Sequence, residues 1–200
     1  MVLSILRFHE TQNCNVWGAV DSENNPLPGL WEFKSISAST PRLFGTMRAK
    51  RPLTDNLGNL EDLLLSARAW QCIQAAADVS NFEVIPFTVF APNGTTVSDS
   101  YFCIRPIVPT NSVEESKTEF VYFETARPNG KKRVKHVQQW WFDARRIPPY
   151  GIFYEYGEWI VHNTIVDVVS ENALTGFRFQ PIWTDEGGGK SLFRRPKWWV

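Results

Sequence analysis

The feature that most constrains this chain is an order of strand, polar cap, helix and strand that occurs twice. In Trp159–Trp183, WIVHNTIVDVVSENALTGFRFQPIW, the run Trp159-Ile160-Val161 suits a short strand. Asn163 then offers a side-chain oxygen to the free N–H groups of a first helical turn, and Ile165, Val168, Val169 and Asn172 come next at helical spacing. The spacing predicts a helix ending near Leu174. Gly176 supplies the left-handed position that closes it, before Phe177, Phe179 and Pro181 alternate with Arg178, Gln180 and Ile182. In Leu63–Val89, LLLSARAWQCIQAAADVSNFEVIPFTV, Ser66 takes the capping place. A helix from about Ala67 to Ala77 puts Trp70, Ile73 and Ala77 on one face. Two related substructures facing a core are the expected result.

Elsewhere the chain reads mainly as strand. Val2–Glu10 and Trp17–Val20 are strand-like, and Asn24–Gly29, with two prolines, carries loop chemistry. Pro92-Asn93-Gly94 and Pro128-Asn129-Gly130 each lie between runs of β-formers, as hairpin tips where Asn and Gly accept positive φ. The first joins Val84–Ala91 to Val97–Ile104, the second Phe120–Thr125 to Lys132–Val137. These signals predict an α+β fold, mainly antiparallel sheet with two short capped helices in two strand-helix-strand units. Along the chain, 1–51 reads as strands and loops packed on the main body, 52–183 as the α+β core, and 184–200 as a Gly-rich joint with a basic, Trp-ended tail.

LLLSARAWQCI, FEVIPFTV and GIFYEYGEWIVHNTIVDVVSENALTGFRFQPI resemble the landmarks of a bacterial polymorphic-toxin immunity family, the one named after a myxobacterial immunity protein. The resemblance covers Pro52–Trp183, and TGFRFQPI is its most specific piece; agreement is weaker over Tyr101–Ser116. It implies a protein that binds and neutralises a cognate secreted toxin, with a toxin domain as partner and no cofactor.

The charges are consistent with that reading. Twenty-one basic and 21 acidic residues cancel, so no net field draws the chain to nucleic acid or to an anionic membrane, and neither is an expected partner. Three widely spaced cysteines, Cys14, Cys72 and Cys103, fit reduced thiols in the cytoplasm, and the first residues lack the apolar run of a signal peptide.

No residue set makes a convincing catalytic or metal site. Gly189-Lys190-Ser191 hints at a phosphate loop, but Thr184 stands where that loop needs its first glycine, and Pro196 interrupts the helix that the loop would have to lead into. His9, His136 and His162 have no metal-ligand spacing. A Cys–His pair from Cys72 or Cys103 with His162, or the carboxylates Glu114, Glu115 and Glu119, keeps open a small hydrolase or toxin-modifying enzyme as one alternative. A nucleic-acid or carbohydrate-binding module using the Trp-rich strands and Lys131–Lys135 is another.

For a partner-binding surface, Gln138–Trp159 is the most aromatic stretch. If Trp140 and Trp141 lie in a strand they point to opposite faces, one inward and one out, and Tyr154 and Tyr156 share a face. The expected contact residues are Trp141, Tyr154, Glu155 and Tyr156, with Glu114 and Glu115 as charge partners for a basic toxin cleft.

Overall fold

The structure is a computed structural model that describes residues 1–8, 14–20, 26–27, 42–47, 53–57, 63–91, 93–107, 110–126, 130, 132–149, 151–186 and 190–192. The basic stretch after Met47, most of the Asn24–Gly29 loop, His9 and the tail from Phe193 lie outside these residues.

The strands are β1 (Val2–Phe8), β2 (Cys14–Val20), β3 (Pro26–Leu27), β4 (Arg42–Met47), β5 (Leu63–Ser66), β6 (Phe82–Phe90) and β7 (Thr96–Pro106). They continue with β8 (Glu119–Ala126), β9 (Lys132–Gln139), β10 (Ile152–Glu155), β11 (Glu158–His162), β12 (Phe177–Thr184) and β13 (Lys190–Ser191). Helix α1 (Ala67–Ala76) comes after β5, and α2 (Asn163–Glu171) after β11. This is an α+β fold, mostly antiparallel. Among the described residues no helix is long and apolar enough to cross a membrane.

The chain separates into two compact units, each built from distant segments: Met1–Arg7, Val108–Asp167 and Phe179–Val200 in the first, Phe8–Ile107 and Val168–Arg178 in the second. The second unit holds a six-stranded sheet of order β3-β2-β4-β6-β7-β5, in which β4 and β6 are parallel while β7 is antiparallel to both neighbours. Pro26 and Leu27, expected in a loop, pair with β2 at the sheet edge, where a residue without an N–H is tolerated. Helix α1 starts as its sequence predicts: Ser66 Oγ accepts the Ala69 amide at 3.1 Å, and Ala69, Trp70 and Ile73 are buried.

The first unit holds a sheet of order β10-β11-β1-β12-β13 and the separate β8–β9 ribbon. Its core centres on aromatic rings. Trp140 stacks on Phe142 at 5.5 Å, and Trp183 meets Phe142 edge-on at 5.7 Å, over Leu3, Ile5 and Ile182.

Each strand-helix-strand stretch is split by an intruding strand. β7 lies between β5 and β6, and β1 lies between β11 and β12. The Met1 carbonyl accepts the Asp185 amide, which sets the start of β1 beside the end of β12. The strands on either side of each Asn-Gly sequence pair with each other, β6 with β7 and β8 with β9, with φ of 81° at Gly94 and 75° at Gly130, while Pro92 and residues 127–129 lie outside the described residues.

α2 departs from expectation at its ends. Asn163, predicted as its cap, is its first residue, and its side-chain oxygen receives the Val2 amide at 3.4 Å. The helix stops at Glu171, and Ala173, at φ 48°, takes a left-handed conformation ahead of Gly176 at φ 84°. Gly176 is also required by space. A Cβ there would sit 2.6 Å from Thr54 Oγ1 and 2.8 Å from Thr54 Cβ, and would strike the Asn56 carbonyl oxygen.

Candidate functional site

A strap formed by Thr110–Thr118 in the first unit gathers segments far apart in sequence. Its anchor is Glu155, the last residue of β10. Expected at the surface as a partner contact, Glu155 is instead 7% exposed and turned inward. Its carboxylate accepts the Ser112 hydroxyl, the amides of Ser112 and Val113 at 3.1 and 3.2 Å, and the Thr110 hydroxyl at 3.4 Å. These donors replace the water that a buried carboxylate gives up, so Glu155 holds the strap down.

Beyond the anchor, Val113 bridges to Phe142, and the Glu114 amide donates to the Trp141 carbonyl at 2.8 Å. Thr118 Oγ1 accepts the Trp141 amide and donates to the Trp141 carbonyl, both at 3.2 Å. The amides of Lys117 and Thr118 donate to the Glu114 carbonyl at 3.0 Å, which curls the strap and leaves Glu115 and Ser116 exposed. Lys117 pairs with Glu114 at 2.9 Å.

Trp141 is half-buried beside Trp140, which is 1% exposed, so the two adjacent indoles divide between surface and core. They do so after β9 has ended at Gln139, outside any strand. Tyr154 is half-buried, 5.2 Å from the Trp159 ring. Tyr156 does not continue β10. It sits at φ 50° in the turn to β11, with its ring 4.9 Å from Phe120 and its hydroxyl donating to the Glu115 carboxylate. Burial, then that carboxylate, raises the phenol well above its ordinary value of 10.0. Phe120 extends the row to Tyr122 at 6.1 Å, and Tyr122 is 44% exposed.

The strap thus brings Glu114, Glu115, Trp141 and Tyr156 together, with Glu155 beneath; Tyr154, the neighbour of Glu155 in β10, points to the opposite face of the sheet, against Trp159, and is not part of this group. Sequence reasoning misses Ser112, Thr118, Phe120 and Tyr122. The aromatic spacing of Phe120 and Tyr122 in β8 is a usable signal; Ser112 and Thr118 give none, since their partners are 43 and 23 residues away. On the rim, Asp143 caps the short 3-10 turn Ala144–Arg146 and pairs with Arg145 and Arg146 at 2.9 and 3.1 Å. The Arg145 hydrogen bond holds its carboxyl down at about 2.

The second unit carries its own buried carboxylate. Asp55 accepts the Ser66 hydroxyl at 2.7 Å, Arg68 at 2.8 and 3.3 Å, and the Thr175 amide and hydroxyl at 2.9 and 3.1 Å. It joins the cap of α1 to the turn after α2. Burial alone would raise its pKa, but hydrogen bonds led by Arg68 outweigh that and bring it to about 2.

Cys103 is buried in β7, Cys72 is half-buried on α1, and burial lowers the pKa of His162 below 6.5. Among the described residues no group of three or more His, Cys, Asp or Glu is placed to share a metal ion. The chain matches no protein-family model, and a search of curated proteins finds no match.

Proposed function

We propose that this chain is an immunity protein that binds a cognate toxin domain through the Glu114, Glu115, Trp141 and Tyr156 surface and occludes the toxin's active site. One observation carries the reading. The strap, fastened by Glu155 and Thr118, joins exposed Glu115, half-buried Glu114 and half-buried aromatic rings from three separate segments into one surface. Aromatic side chains with few rotamers, set among charges, suit a tight protein interface. The resemblance of Pro52–Trp183 to the immunity family supplies the nature of the partner. Cysteines too few and too far apart for a disulfide framework support an encounter in the cytoplasm.

The decisive experiment titrates the full chain against the activity of the toxin domain encoded beside it. Inhibition is expected to saturate at a fixed molar ratio. Trp141→Ala and Tyr156→Ala should each weaken the complex about 30-fold, the loss of an interface anchor worth ~2 kcal/mol. Inhibition that grows with time at trace protein would overturn the binding mechanism in favour of catalysis.

A further inference from the structure

Beyond the end of the Tyr156–Phe120–Tyr122 row, the β8–β9 ribbon carries a cluster of cations that the toxin-binding surface does not use. Between Phe120 and Val137 the sequence places five basic residues, Arg127, Lys131, Lys132, Arg133 and Lys135, against one acid, Glu124. In a chain whose 21 basic and 21 acidic residues cancel as a whole, this is a local concentration of positive charge. Two large aromatic side chains stand exposed in the same ribbon, Tyr122 at 44% and Phe123 at 38%. Each is matched with a cation. Lys132 Nζ lies 6.0 Å from the Tyr122 ring centroid, and the Arg133 guanidinium carbon lies 5.2 Å from that of Phe123.

Lysines on a strand edge deter edge-to-edge aggregation, and that would account for the charges alone. It does not account for two uncovered rings among them, because an exposed ring beside a strand edge invites the aggregation that the lysines prevent. Aromatic faces interleaved with cations are what a single-stranded nucleic acid requires: bases stack on the rings while the cations meet phosphates. An acidic protein segment would satisfy the cations and leave the rings without a matched partner.

We propose that the β8–β9 ribbon is a binding site for single-stranded nucleic acid, with Tyr122 and Phe123 as stacking platforms and Lys132, Arg133 and Lys135 as phosphate contacts. Through Phe120, Tyr122 adjoins Tyr156 of the toxin-binding surface, whereas Phe123, Lys132, Arg133 and Lys135 take no part in that surface, and nucleic-acid binding does not require the toxin reading to hold.

The test is fluorescence anisotropy of a fluorescein-labelled oligodeoxythymidine, about twenty nucleotides long, titrated with the full chain at low salt. Binding on the order of micromolar is expected, weakening with salt by roughly 0.7 log unit per tenfold salt for each phosphate neutralised. Lys132→Glu with Arg133→Glu should weaken binding by at least ~10-fold and flatten the salt slope. Tyr122→Ala should weaken it about 10-fold with the slope unchanged, and Phe123→Ala serves as the second variant if Tyr122→Ala alters the far-ultraviolet circular dichroism. Absence of binding at ~100 micromolar overturns the proposal. So does binding that ignores both ring substitutions, equal affinity for a duplex, or equal competition by polyglutamate, since each of these needs charge alone.

Discussion

Two carboxylates show how far one residue can carry a local fold. Asp55 takes five donors from Ser66, Arg68 and Thr175, and its folded pKa of about 2 lies below its ordinary 3.8. A depressed carboxylate stabilises the fold above its unfolded pKa and loses that contribution as pH falls through the folded value. Unfolding midpoints in urea, measured from pH 5 to pH 2, should therefore fall most steeply between 3.8 and about 2. Asp55→Asn should cost about 1–3 kcal/mol at neutral pH, because amide hydrogens would face donors, and should remove that acid-sensitive step. An unchanged acid profile in the variant would show that other groups carry it. Glu155 differs in the kind of donor that satisfies it: hydroxyls and amides of the strap, where Asp55 takes a guanidinium. Its burial has no mark in the sequence, where it stands between two tyrosines in an apparently exposed acidic and aromatic run.

Elements whose signals are local were legible, and those set by distant partners were not. Helix α1 and the β6–β7 hairpin arise from a capping serine, helical apolar spacing and the Asn93-Gly94 turn, each acting within a few residues. The intrusion of β7 between β5 and β6, and of β1 between β11 and β12, has no local mark, because strand neighbours are chosen by whole-sheet packing. Tyr156 shows the same limit on a smaller scale. Alternation sets it beside Tyr154, but the strand ends at Glu155 and a left-handed turn re-aims the ring toward Phe120. Gly176 belongs at this scale too, since it ends the turn after α2 in contact with Thr54 and Asn56. Gly176→Ala combines a positive φ with a steric conflict against backbone, and should lower stability by at least ~2 kcal/mol in urea denaturation. A change below ~0.5 kcal/mol would mean that the turn relaxes without strain.

Across the molecule, each compact unit has a buried carboxylate fastening its irregular segments. Hydrogen exchange should separate their effects. Glu155→Gln is expected to speed exchange at the Ser112, Val113 and Glu114 amides while sparing Ser66 and Thr175. Asp55→Asn should do the reverse, and uniform loss of protection in either variant would show that the carboxylates act globally. The place of β1 bears on how the chain is made. β1 leaves the ribosome early, yet its ladder partners, β11 and β12, emerge about 150 residues later. At ~5–20 residues per second that is on the order of ten seconds or more, with Leu3 and Ile5 lacking the neighbours that bury them. The sheet around β1 therefore closes only once β11 and β12 have been made, however early β1 itself is available.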